Sequence, residues 1–273
     1  MARKMAALFI CIMFLVGLNA TLINPASAVQ DTVPGDGIID TGGPTLNADG
    51  TISYAPMEDK IISGWRLAFN GSLAHRIAAR AIWYLEYGFT VYGHTQYATT
   101  GFIDCSQYTS RIYKDFGYPI TGVSRYYDTV GTVIQGVYST LQPGSTTKWM
   151  LVGTENLKPG DILTWWKDDP TLGRHIGHVG IYLGKIYGYP SVAMTISGRP
   201  TALGILTSFT YWYGEHFQDA RRILPASAYV ADSNYKGITA GTAYEPPAPV
   251  IPALYQMQPT YPVIQPKDLP NGF

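Results

Sequence analysis

Apolar residues follow several distinct regimes along the chain. Residues 5–18 are an uninterrupted apolar run of 14, preceded by Arg3 and Lys4 and followed by the small-x-small triplet Ala26-Ser27-Ala28. That order reads as a secretory signal over residues 1–28, with the mature chain starting near Val29. The run is short for a membrane span, and no second apolar stretch of about 18 residues follows, so stable membrane insertion is not expected. Residues 29–56 hold Gly, Asp, Thr and Pro with no hydrophobic period and read as a flexible leader. From Met57 a helical pattern begins with Ile61, Ile62, Trp65 and Leu67. A second helix is predicted after it: Ser72 as N-cap, Leu73, Ile77, Ala81 and Leu85 on one stripe, Gly88 as terminator. His75 would lie on the polar face of that helix.

Further on the period changes. Tyr108, Ile112 and Phe116 continue a helix that opens at Asp104 and stops at Gly117-Tyr118-Pro119. Residues 157–166 read as a turn feeding a strand, 178–184 as a strand led by His178, 192–197 as the next strand and 217–224 as the last. Helices packed on an antiparallel sheet, an α+β fold, account for this order. Residues 120–156 form a longer connection containing Arg125, Tyr126, Tyr127, Tyr138 and Trp149; each of these reads as a packing residue ahead of a substrate contact, and the segment as a whole is expected to cap the cleft. Residues 225–273 hold nine of the 19 prolines, interleaved with Tyr, Ala and Gln, and read as a disordered tail. The folded unit is therefore placed at 57–224.

Charge narrows the function. The chain has 19 Lys+Arg and 19 Asp+Glu, and removal of the signal leaves 17 basic against 19 acidic side chains, which gives nucleic acid no basic surface to bind. Cysteine count narrows it further. Of Cys11 and Cys105, the first lies in the discarded run, so an exported protein keeps one thiol. An odd thiol there is either a buried core residue or one kept for chemistry. Cys105 follows Asp104, a natural N-cap, and so stands first in its helix, where unsatisfied backbone N–H groups and the helix dipole favour a thiolate. A thiolate nucleophile is served by an imidazole that helps ionise it and then protonates the leaving amine. Among His75, His94, His175, His178 and His216, His178 opens a strand and so faces one defined side. A metal site built from Cys105, His175 and His178 is disfavoured, because residues three apart on a continuous strand face opposite ways.

Four motifs in order, Val91-Tyr92-Gly93-His94, Asp104-Cys105-Ser106, Leu157-Lys158-Pro159-Gly160-Asp161 and His178-Val179-Gly180-Ile181-Tyr182-Leu183-Gly184, resemble the NlpC family of papain-like cell-wall cysteine peptidases over about residues 74–224. The resemblance implies a papain-like α+β fold with Cys105 as nucleophile and His178 as base. It places Tyr92, Asp104 and Ser106 at the substrate and needs no cofactor or metal. The implied partner is a bacterial cell-wall peptide, cleaved after γ-D-glutamate outside the cytoplasm, and nothing in the sequence fixes the oligomeric state. Three positions depart from the family pattern: Gln107 and His94 replace glycines, and Thr195, or Ser197 two residues on, stands where a His, Asn or Gln normally orients the base. A wall-binding protein on a degenerate scaffold, and an amidase or acyltransferase with the same Cys-His pair, stay open beside the peptidase.

Overall fold

The computed structural model describes residues 45–46, 52–53, 56–87, 91–92, 102–196 and 203–235. The expectations for the signal at 1–28, nearly all of the leader at 29–56 and the tail beyond 235 lie outside the described residues, as do His94 and Ser197. In chain order, β1 (Thr45–Leu46) pairs antiparallel with β2 (Ile52–Ser53), and helices α1 (Pro56–Ala68) and α2 (Leu73–Tyr87) follow. A short parallel pair, β3 (Val91–Tyr92) with β4 (Phe102–Ile103), leads into α3 (Cys105–Asp115). Then come β5 (Thr132–Val133), the hairpin β6 (Tyr138–Leu141) and β7 (Trp149–Val152), and the long strands β8 (Ile162–Asp169), β9 (Gly173–Ile186) and β10 (Tyr189–Thr195). β11 (Leu203–Leu206), α4 (Tyr211–Glu215) and β12 (Phe217–Arg222) complete the set. Six strands form one antiparallel sheet in the order β11-β10-β9-β8-β12-β5. The structure is α+β, as the alternation of helical and strand periods predicts.

Each helix buries the stripe its spacing dictates. On α1 the inward residues are Ile61, Ile62, Trp65 and, just past the helix end, Phe69; Leu67 falls between these rows and stays exposed. Ser72 caps α2 as expected, its Oγ accepting from the His75 N–H at 3.2 Å. Most of α2 is then buried, with Ile77, Ala81, Trp83 and Tyr84 removed from water and Arg80 withdrawn among them. His75 does not sit on a polar face. Its ring packs beside Trp65 and Phe69, and burial lowers its pKa from the ordinary 6.5 to about 4.

Both faces of the sheet are covered, which is why the strands read as nearly continuous apolar runs. Ile162, Val179, Ile181, Leu183 and Ala193 face the three long helices. Leu163, Trp165, Tyr182, Met194 and Phe217 face the other way, against Val137, Leu157, Phe209 and Tyr213. Each large apolar side chain so withdrawn from water contributes about 1.5–3 kcal/mol. The connection at 120–156 packs on the body, since Val137, Ile134 and Leu151 close the second face. Gly153 makes its turn possible: φ is +78°, and a Cβ there would collide with the Gly136 carbonyl oxygen.

Two polar devices tie the ends of the body together. The Leu157-to-Asp161 turn holds Asp161 fully buried, its carboxylate bound by Arg222 at 2.6 and 2.8 Å and by the Lys158 N–H at 2.6 Å. Burial raises the pKa of Asp161, and Arg222 works against that rise. At the outer edge of the sheet, the buried carboxylate of Glu58 on α1 accepts from the Ile205 N–H of β11 at 3.1 Å. The packed body also runs on past Leu224, where the sequence pattern ends it. A 3₁₀ turn spans Ala226–Tyr229, the Asp232 N–H donates to the Asn70 carbonyl at 3.0 Å, and Tyr235 packs on Phe69 under the Arg76 guanidinium.

Candidate active site

Helix α3 starts as its sequence dictates. Asp104 sits in extended backbone and its Oδ1 accepts from the Gln107 N–H at 2.7 Å, which leaves Cys105 as the first helical residue. Cys105 is a free thiol, 3% exposed, and its Sγ lies 3.9 Å from the carbonyl oxygen of Gly177. Gly177 sits at an irregularity in the β8–β9 ladder, where Trp165 pairs with His178 and Trp166 with Ile176. The fold thus brings the start of α3 to the backbone that precedes His178. The parallel β3–β4 pair sets Tyr92 opposite Ile103, two residues before Cys105.

The other two residues expected at the substrate are engaged inside the fold. Ser106 is 3% exposed, with its hydroxyl 2.8 Å from both the Asp104 carboxylate and the Gly122 carbonyl. Its own carbonyl accepts from the Tyr127 hydroxyl at 3.1 Å. Tyr127 is a member of this group that sequence reading left among packing residues. Burial first, then the neighbouring Cys105 and Asp104, hold its phenol in the neutral, donating form. Its signal in the sequence was only its place in an aromatic stretch.

The imidazole of His178 has an aromatic seat. Its ring lies 5.6 Å from Trp165, 6.4 Å from Trp212 and 6.3 Å from Tyr213, centroid to centroid. The Trp165 indole N–H donates to the Tyr213 carbonyl at 2.7 Å and so locks α4 to the sheet. Thr195 does not take the orienting role expected of it. Its Oγ1 is buried and makes no hydrogen bond among the described residues. The register explains this: Met194 pairs with Gly180, so Thr195 alternates to the side of Ala193 and Val179, which face the helices.

Among the described residues no group of three or more His, Cys, Asp or Glu stands close enough to hold a metal ion, and no helix is long and apolar enough to cross a membrane. A cavity of about 320 Å³ opens at the far end of β9, lined by Trp65, His75, Leu157, Tyr182 and Lys185, and includes neither Cys105 nor His178.

Site and fold together define an α+β domain with a capped cysteine at a helix start, set against a strand that carries histidine. No family model and no curated protein matches the sequence. Among solved structures, the chain is similar to an NlpC/P60 family protein from Bacillus cereus (24% identity, 54% of this chain and 40% of that one, TM-score 0.37). It is also similar to NlpC2 from Trichomonas vaginalis (16% identity, 64% and 52%, TM-score 0.38) and to an NLP/P60 family protein, similar to lipoprotein, from Staphylococcus aureus (23% identity, 56% and 42%, TM-score 0.33). The chain spans about half or less of the length of these structures.

Proposed function

We propose that the protein is an exported cysteine peptidase that hydrolyses peptide stems of bacterial peptidoglycan, with Cys105 as nucleophile and His178 as general base. The observation that carries this reading is the capped start of α3 lying against the backbone that leads into His178. The motif resemblance adds the substrate class and the γ-D-glutamyl bond. In this mechanism the thiolate attacks the scissile carbonyl, and the imidazolium protonates the departing amine. Water, activated by the imidazole, then releases the acyl group. Tyr127 holds the first turn of α3 by its bond to the Ser106 carbonyl, and Asp104 holds it by the cap.

The test is incubation of the full chain, and of its Cys105→Ala and His178→Ala variants, with peptidoglycan stem peptides, the products read by mass spectrometry. Cleavage by the unaltered chain alone supports the reading and names the bond. No cleavage by any of the three refutes it.

A second reading, a wall-binding protein on a peptidase scaffold, draws on the unbonded Thr195 hydroxyl and the deep burial of Cys105. Retention on purified peptidoglycan by a chain that cleaves nothing would favour it.

A further inference from the structure

The sheet ends unevenly where β9 outruns β8. Their last residue pair is Ile162 with Ile181. The Leu157-to-Asp161 turn then closes the ladder, the Tyr182 N–H donating to the Asp161 carbonyl at 2.7 Å and the Gly160 N–H to the Tyr182 carbonyl at 2.8 Å. Beyond that point β9 runs on to Ile186 with β10 as its one sheet partner among the described residues. Lys185 there lies opposite Pro190, which has no N–H to give, so the Lys185 carbonyl takes no bond from the residue it faces. The cavity of about 320 Å³ occupies the notch left beside this overhang, bounded by the end of α1, the start of α2 and the 3₁₀ turn Thr154–Asn156. Tyr182 and Leu183 belong to opposite faces of the sheet and both line it, so the cavity lies across the sheet's end.

Trp65, Leu157 and Tyr182 give the wall its apolar character, and polar groups interrupt it from three sides. Lys185 on the strand and Glu155 on the 3₁₀ turn both line the cavity, both are exposed, and neither has an ion-pair partner among the described residues. His75 comes from the helix side. Its Nδ1 accepts the Asn70 N–H at 3.2 Å, so the neutral ring carries its proton on Nε2, and burial keeps the ring neutral down to about pH 4. With Nδ1 turned to Asn70, and Trp65 and Phe69 beside the ring, the Nε2 edge is left to face the cavity, and that N–H has no acceptor among the described residues.

We propose that this cavity is a binding site for a free α-amino acid with an apolar side chain, its carboxylate met by Lys185 and the His75 N–H and its ammonium by Glu155 and the Lys185 carbonyl. The charges decide the class. One cation and one anion on the wall of an apolar hollow ask for a ligand that brings both opposite charges and an apolar body, whereas a fatty acid or an amine would leave one wall charge unanswered. The volume decides the size: ligand pockets run from about 300 to 1,000 Å³, and one at the bottom of that range takes a single amino acid and not an extended peptide. The proposal does not rest on the peptidase reading, because Cys105 and His178 lie outside this cavity.

The experiment is isothermal titration of the full chain with L- and D-phenylalanine, beside Lys185→Met and Glu155→Gln. Both replaced side chains are exposed, so the variants are expected to keep the fold, which circular dichroism checks. At least one enantiomer is expected to bind the unaltered chain with a Kd of about 1 mM or tighter. Each variant is expected to weaken that binding at least about fivefold, since each removes one charged partner. 3-Phenylpropanoate, which lacks the ammonium, is expected to bind the unaltered chain as weakly as phenylalanine binds Glu155→Gln, and to lose nothing further in that variant. No saturable heat with either enantiomer up to about 10 mM overturns the site. A change under about twofold in either folded variant, or 3-phenylpropanoate binding as tightly as phenylalanine, overturns the assignment of an amino acid to it.

Discussion

Mild acid should loosen the fold through His75, and the size of the effect follows from its surroundings. The ring is packed beside Trp65 and Phe69, its Nδ1 accepts the Asn70 N–H at 3.2 Å, and its pKa falls from 6.5 to about 4 through burial. Protonation would cancel that acceptor and place a charge where water is scarce. The folded pKa is the lower one, so between the two values the unfolded chain binds more protons. The stabilisation is complete above about pH 6.5 and is lost as the pH falls toward 4. The linkage integral gives a loss of about 2 kcal/mol at pH 5 and about 3 kcal/mol below pH 4. His75→Asn keeps an oxygen acceptor near the Asn70 N–H and removes the titration. Urea denaturation of both proteins at about pH 8 and pH 5 should show the variant less stable at the higher pH, from lost ring contact, yet losing about 2 kcal/mol less between the two. Equal losses in the two proteins would refute the argument, because every other titrating group is shared.

Replacing Arg222 with Met leaves the Asp161 carboxylate buried opposite an apolar side chain; the expected cost is about 3–5 kcal/mol, read as a lower denaturation midpoint, and a change under about 1 kcal/mol would show the pair to be dispensable. Asp104→Ala removes the cap of α3 and should lower stability by about 1 kcal/mol, while Asp104→Asn, which keeps the acceptor, should recover most of it in the same melts.

The helices were legible because their constraints are local. Ser72, Ile77 and Leu85 announce α2 through capping and spacing, and Asp104 announces the start of α3. The strands at 162–166 and 178–184 were legible for the opposite reason, since a sheet covered on both faces leaves short unbroken apolar runs. Thr195 was misjudged because its face depends on the pairing of Met194 with Gly180, a register set by a bulge between Ser191 and Val192 that no local pattern records. His75 was read as a polar-face residue and His216 was passed over because imidazole carries no periodic signal, and their neighbours, Trp65 and Phe69 in one case and Trp166 and Trp212 in the other, meet them only after the elements assemble. Tyr127 was hidden likewise, its partner Ser106 lying in a different element.

Glu58 has a bearing on how this molecule meets copies of itself. β11 is the outermost strand of the sheet at one end, and a bare outer strand offers outward-pointing amides on which a foreign chain can begin to add. Here the Ile205 amide already has an acceptor, supplied by a helix of the same chain. A would-be intruder must first displace a buried carboxylate from that amide, so growth of the sheet from that end into a fibre is opposed before it starts.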